Sequence, residues 1–178
     1  RLYKGRFDAA GNLETCISQL NALKPDLLLA TGDLVNRAGR AKYAFLRELL
    51  AACEIPVYLM PGNHDDRGLM REMFPKHNYL FTENDRLHYK IECDGINILM
   101  LDSSLPSGDE GNIGEEQMTW LDSQLDLSPE KPAIIALHHP PFATGTRFID
   151  NFLCADGPEL RQLVARHANV LRGISRHP

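Results

Sequence analysis

Apolar positions along this chain follow two rhythms. Leu13, Cys16, Ile17, Leu20 and Leu23 recur at helical spacing, and Pro25 marks the end of the helix they predict. The run Asp26-Leu27-Leu28-Leu29-Ala30-Thr31-Gly32 is short and apolar and ends in glycine, which predicts a buried strand. Phe45, Leu46, Leu49, Leu50 and Cys53 return to the helical rhythm, and Val57-Tyr58-Leu59-Met60 gives a second buried strand that stops at Pro61-Gly62. A short helix is expected from Asp66 to Pro75, followed by a polar, irregular stretch from His77 to Arg86. Leu87 to Cys93 and Ile96 to Leu101 predict a hairpin about Asp94-Gly95, a dipeptide suited to a tight turn. After a loop from Pro106 to Asn112, a helix is expected over Gly114 to Leu125 with Trp120, Leu121 and Leu125 inward. Ala133 to Leu137 is a third buried strand, ended by His138-His139-Pro140-Pro141. Thr144 to Asn151 is a loop, Pro158 opens a last helix striped by Leu160, Leu163, Val164 and His167, and Val170-Leu171 begins another strand.

Helices that alternate with short, fully apolar strands predict an α/β sheet covered on both faces, to which the hairpin adds antiparallel strands. Residues 1–178 are expected to form one domain, with no internal repeat or linker. The net charge of −5 offers no basic surface, so neither a nucleic-acid polymer nor a membrane is an expected partner. An acidic chain can still bind a phosphate ester when metal ions supply the positive charge. Cys16, Cys53, Cys93 and Cys154 are widely spaced, with Cys16 and Cys53 on apolar helix faces. They read as reduced, structural thiols of a cytoplasmic protein.

Each buried strand ends in a short polar cluster: Gly32-Asp33-Leu34-Val35-Asn36, Gly62-Asn63-His64-Asp65 and His138-His139-Pro140-Pro141. Ligands of open α/β sheets bind beyond the carboxyl ends of the strands, so the three clusters are expected to meet in one cleft. The chemistry gives each residue a task. Asp33 follows a glycine and carries two oxygens that can bridge two cations, Asn63 offers a neutral carbonyl oxygen, and His138 offers an imidazole nitrogen suited to a transition metal. His64 cannot easily ligate the ion that Asn63 holds, and is better placed to contact substrate or protonate a leaving oxygen, with Asp65 orienting its ring. His77, His88 and His167 have no such context and read as surface or packing residues. Asp102-Ser103-Ser104 also follows a strand, but a serine nucleophile needs a base beside it and the local sequence supplies none.

Gly32-Asp33 with Asn36, Gly62-Asn63-His64-Asp65 and His138-His139-Pro140 resemble three of the motif blocks of the calcineurin-like metallophosphoesterases, above all the class III cyclic-nucleotide phosphodiesterases and related glycerophosphodiesterases. The resemblance implies a four-layer α/β/β/α sandwich and a centre of two divalent or trivalent transition metal ions, drawn from Fe, Mn, Zn or Co. It implies hydrolysis of a small phosphodiester by attack of a metal-bound hydroxide on phosphorus. Asp33 would then bridge the metals, Asn63 and His138 would hold one of them, and His64 would meet the phosphoryl oxygens or the leaving group. Asn36 and His139 would stand behind the ligands or touch substrate. The substrate among such diesters, the metal and the oligomeric state are left open.

Two further family blocks have no counterpart here. An Asp-x-His block would precede Arg1, and where Gly-His-x-His belongs the chain reads Gly173-Ile174-Ser175-Arg176-His177-Pro178. The expectation is a fold incomplete at both ends, lacking its first and last strands, with one metal site reduced to Asp33 and the other to Asp33, Asn63 and His138. The chain is accordingly expected to be a weakly active or inactive copy of a phosphodiesterase. The alternative is a non-catalytic domain that binds a phosphoester or a metal at a partial site.

Overall fold

The computed structural model describes residues 2–3, 7–82 and 85–175, and Arg176 and His177 lie outside them. The strands are β1 (Leu2–Tyr3), β2 (Phe7–Asp8), β3 (Leu28–Thr31), β4 (Val57–Met60), β5 (Tyr89–Cys93), β6 (Ile96–Leu101), β7 (Ala133–Leu137) and β8 (Val170–Ser175). The helices are α1 (Ala9–Leu23), α2 (Arg40–Leu50), α3 (Arg67–Met73), α4 (Gly114–Asp126) and α5 (Gly157–Val164). β1 and β2 form a small antiparallel ribbon.

Among the described residues the remaining strands form two sheets. β3 and β4 run parallel, with Thr31 opposite Met60, so that the loops carrying Asp33 and Asn63 leave the sheet at the same level. The second sheet has the order β5-β6-β7-β8. β5 and β6 are the antiparallel hairpin, and β7 and β8 add in parallel. Asp94 and Gly95 turn the hairpin with φ of 46° and 80°, left-handed values that Asp and Gly tolerate best.

The period of two along β3 and β4 sorts side chains between two cores. Leu27, Leu29, Tyr58 and Met60 face the second sheet and pack with Tyr89, Ile91, Leu99 and Leu101. Ala30, Val57 and Leu59 face the other way, into a cluster built on Tyr43 of α2 and Met70 of α3. The larger cluster continues to Leu121 and Leu125 of α4 and to Leu160 and Leu163 of α5. Helices, sheet, sheet and helices therefore stack in four layers, as the resemblance implies. Among the described residues β4 has only β3 beside it, and tyrosine hydroxyls satisfy its other edge. Tyr79 accepts from the Leu59 amide at 2.9 Å, and Tyr89 donates to the Leu59 carbonyl at 2.7 Å.

Several boundaries and burials depart from the sequence reading. α1 starts at Ala9, because Asp8 caps it by accepting from the Gly11 amide at 3.0 Å, and a glycine and an asparagine in its first turn hid that start. Of the helix, only Ile17 is buried, and Cys16 is exposed, so it is no core residue. β3 is half-buried along its length rather than fully buried. The first strand of the hairpin begins at Tyr89 and not at Leu87, whose amide is taken by the Asp102 carboxylate at 3.0 Å. None of the four cysteines is in a disulfide. No helix among the described residues is long and apolar enough to cross a membrane.

Leu121 has no exposed surface, whereas Leu127, just beyond the same helix, is 72% exposed. Leu121→Ala is expected to cost about 2–5 kcal/mol in chemical denaturation, and Leu127→Ala to stay within about 0.5 kcal/mol. Equal effects would contradict the placement of α4 on the sheet.

Candidate metal centre

The three polar clusters meet where the two sheets abut. β3 delivers Gly32 and Asp33 in left-handed conformations, with φ of 93° and 53°. Such a conformation is costly for most side chains and tolerated by aspartate. The turn brings the Asp33 carboxylate back over the strand ends. There its Oδ1 accepts from the His64 amide at 3.1 Å. A β-carbon on Gly32 would stand 2.5 Å from the His138 ring, and one on Gly62 would stand 2.4 Å from the Asp33 carboxylate. The glycines of both motifs thus leave room for the two polar side chains to close on each other.

His138, at the end of β7, is buried and crosses from the second sheet to the first. Its Nδ1 lies 2.9 Å from the Thr31 carbonyl oxygen, to which it donates. That assignment leaves Nε2 with a lone pair, 3.4 Å from Asp33 Oδ1 and 3.2 Å from Asn63 Oδ1. Three lone-pair atoms pointed at one another repel unless a cation or a proton lies among them. A carboxylate oxygen, an amide oxygen and an imidazole nitrogen held this way suit a transition metal, and the Thr31 bond that fixes the ring is the usual support of a ligating histidine. The donor set fits one ion. Among the described residues no group of three His, Cys, Asp or Glu side chains gathers to hold a metal, so Asn63 is what raises this pair to three donors.

His64 borders the same cleft without joining the three donors. Its Nδ1 lies 2.6 Å from the Asn36 carbonyl oxygen. Nδ1–H donates there, which fixes the ring. This corrects the expected role of Asp65, which does not touch the His64 ring. Asp65 instead holds the two motif loops together: Oδ2 accepts from the Leu34 and Gly62 amides at 2.9 Å each, and Oδ1 accepts from the Tyr43 hydroxyl at 2.9 Å. Asn36 acts on His64 through its backbone rather than its side chain.

His139 is fully buried. Ser103 Oγ sits 2.8 Å from its Nδ1 and accepts from its amide at 3.1 Å. Of the two places expected for His139, behind the ligands or against substrate, it takes the first, and the His138 ring meets it edge-on at 4.9 Å. The same contact supplies a histidine beside Ser103, which the local sequence did not reveal because the two are 36 residues apart. Both are fully buried, so the pair is closed to substrate.

Sequence reasoning also missed three supports. Thr31 acts through its carbonyl and Tyr43 through a hydroxyl in a helix stripe, and neither carries a sequence signal. Asp102, at the end of β6, is fully buried and paired with Arg67 at 2.5 Å. It also accepts from the Leu87 and Ser104 amides at 3.0 Å, which fixes the neighbouring strand end. A third loop reaches the cleft: Asn63 Nδ2 donates to Asp109 Oδ1 at 3.3 Å.

Comparison with known proteins decides the family. Residues 6–168 match the model of the calcineurin-like phosphoesterases. The chain belongs to that family. A probable glycerophosphodiester phosphodiesterase of Arcobacter nitrofigilis is 33% identical over 174 residues, covering 96% of this chain and 63% of that protein. A cAMP/cGMP dual-specificity phosphodiesterase of Mycobacterium tuberculosis is 36% identical over 147 residues, covering 79% of this chain and 45% of that protein. The chain thus spans about 45 to 63% of the length of these two relatives. A crystal structure of a dimetal phosphatase from Danio rerio superposes with a TM-score of 0.72 at 16% identity, over 93% of this chain and 70% of that one, and shares the fold. As a calcineurin-like phosphoesterase, the chain places its Gly-Asp, Gly-Asn-His-Asp and His-His-Pro motifs on one rim of the sandwich.

Burial drives the Asp65 pKa from 3.8 up to about 6, against the amides of Gly62 and Leu34, which favour the carboxylate. Folding therefore favours protonated Asp65. Its contribution to stability is complete below the unfolded value of 3.8 and is lost as pH rises through about 6. In the metal-free protein, an NMR titration of the Asp65 carboxyl carbon is expected to show a midpoint near 6. A midpoint at or below the unfolded value would contradict the buried placement.

Proposed function

We propose that this chain carries part of the catalytic centre of a metal-dependent phosphodiester hydrolase of the glycerophosphodiester or cyclic-nucleotide type. The observation that carries the reading is the convergence of Asp33 Oδ1, Asn63 Oδ1 and His138 Nε2, within 3.2 to 3.4 Å of the imidazole nitrogen. Asp33, Asn63 and His138 would hold one ion, and Asp33 has a second carboxylate oxygen to offer another. The metal centre, when loaded, supplies Lewis acidity that activates water and neutralises charge on the phosphoryl oxygens. Fe, Mn, Zn and Co all suit the donors.

The chain's own residues do the rest. The His64 amide steadies the Asp33 carboxylate, and the Asn36 carbonyl fixes the His64 ring by its Nδ1. As an imidazolium, His64 donates a proton from its second ring nitrogen to the oxygen of the departing alcohol. As neutral imidazole it accepts from a substrate hydroxyl instead. The names of the relatives support a small phosphodiester substrate. The unpaired cysteines are compatible with a cytoplasmic setting. A second reading, a domain that binds a metal or phosphoester without turnover, is favoured by the donor count among the described residues, which serves a single ion.

On that count the 178-residue chain is expected to hydrolyse bis(p-nitrophenyl) phosphate little or not at all with added Mn²⁺ or Co²⁺, because this chemistry relies on paired ions. Turnover equal to that of a relative would overturn the donor count. Binding of the diester without turnover would favour the second reading.

A sharper test separates His64 from Asn63. In a polypeptide that joins these residues to an Asp-x-His and a Gly-His-x-His block, His64→Ala is expected to lower kcat by about 100- to 10,000-fold while metal content holds. The loss should shrink for p-nitrophenolate, a leaving group that needs no acid. Asn63→Ala is expected to release metal. Loss of metal from His64→Ala would overturn the division of labour, and an equal rate loss for good and poor leaving groups would make His64 a phosphate contact.

A further inference from the structure

An asparagine side chain can present either end to a site, and the two ends are chemically opposite. With Oδ1 turned to His138 Nε2, Asn63 completes a set of lone pairs. With the amide group turned there, it would place protons where a cation belongs and dismantle the set. The donors that already surround the site do not choose between these orientations. His138 Nε2 accepts an N–H as readily as it shares a cation with an oxygen, and so does Asp33.

The Asp109 carboxylate makes the choice. It carries no proton to donate, so only the Nδ2 end of Asn63 can face it, at 3.3 Å, and Oδ1 is thereby turned to His138 at 3.2 Å. Asp109 lies on the loop that follows Ser104, and this loop has a firm foot. Gly111 forms a bridge with Cys154 and exchanges hydrogen bonds with Leu153 and Ala155 at 3.1 and 2.7 Å. The next residue, Asn112, donates from its amide to the Ser103 carbonyl at 2.9 Å and is gripped at its own carbonyl by Arg86. A β-carbon at position 111 would stand 2.5 Å from the His139 ring, so only glycine lets the loop settle against the β6–β7 rim. Asp109 is exposed and two residues from that foot, and from there its carboxylate reaches Asn63.

We propose that Asp109 is the positioning residue of the metal centre: by taking the Asn63 amide group, it sets the oxygen of Asn63 toward the metal and so sets metal affinity. The proposal rests on the metal reading above, and it concerns a loop residue outside the three motifs. It also distinguishes this loop from a purely substrate-selecting one, since its effect would be felt before any substrate binds.

The test begins on the metal-free 178-residue protein, where the tether can be read without a metal. In ¹H–¹⁵N spectra, Asp109→Ala is expected to move the Asn63 side-chain amide signals and raise their mobility, whereas Asp109→Asn, which keeps an acceptor oxygen, is expected to restore both. Co²⁺ titration followed by visible absorption then reads the consequence. Asp109→Ala is expected to weaken binding by about 10- to 100-fold, the usual effect of removing a residue that orients a ligand. Asp109→Asn should remain within about fivefold of the unchanged protein. An Asn63 amide that ignores Asp109→Ala overturns the tether, and Co²⁺ affinity unchanged in Asp109→Ala overturns its role toward the metal. Failure of the unchanged protein to bind Co²⁺ overturns the metal reading and with it the role of Asp109, and the amide spectra distinguish that failure from loss of the tether.

Discussion

The 2.9 Å hydrogen bond from His138 to the Thr31 carbonyl spans the seam between the two sheets, and the candidate centre depends on it. It fixes which ring nitrogen of His138 keeps its lone pair, and it ties the end of β7 to the end of β3. Without it the ring could turn or take the other tautomer, and Asp33 and Asn63 would face a proton instead of a third donor. The bond is possible only because the sandwich brings the carboxyl ends of parallel strands from different sheets to one level. The tyrosines that close the edge of β4 and the apolar contacts between Leu29, Met60, Leu99 and Leu101 hold the sheets in that relation.

Around that bond the loops are held by polar groups whose cost of burial is offset locally. Asp65 gathers the amides of Leu34 and Gly62 and the hydroxyl of Tyr43, which ties the Asp33 and Asn63 loops together. Asp102 does the same at the end of β6, with Arg67 as its counter-charge. Burial penalises each carboxylate and directed donors offset part of that cost, which at Asp65 still leaves the pKa raised. The result is a rigid rim in which small residues matter as much as the donors. Gly32 and Gly62 exist to let His138 and Asp33 approach within hydrogen-bonding range.

The order of the strands in the sheets and the short β1–β2 ribbon were not legible in the sequence. Strands β3 to β8 and the meeting of the three motifs were, because they follow from local patterns: apolar runs closed by glycine or proline, and polar clusters at their ends. The family motifs named Asp33, Asn63, His64 and His138 for the same reason. What the sequence hid was long-range or carried by the main chain. Asp65 lies beside His64 in sequence, and an interaction between neighbours was the natural expectation. The fold turns the carboxylate to Tyr43 and to the amide of Leu34, 22 and 31 residues away. Thr31 and Asn36 act through carbonyl oxygens, which any residue possesses. His139 pairs with Ser103 across two strands, and Asp109 reaches Asn63 from a loop with no motif of its own. The burial of Cys16 was misjudged because α1 packs by one edge, leaving most of an apparently apolar face in solvent.

The claim at the centre of this account is that Asp33, Asn63 and His138 together form a cation site. Anomalous X-ray scattering from crystals soaked in Mn²⁺ or Co²⁺ tests it directly, because it locates the ion independently of any activity. The account predicts an anomalous peak in ligating contact with Asp33 Oδ1, Asn63 Oδ1 and His138 Nε2. It also predicts loss of that peak in His138→Ala crystals that keep the fold. A saturating soak that leaves this position empty, or that places the ion on other residues, would contradict it.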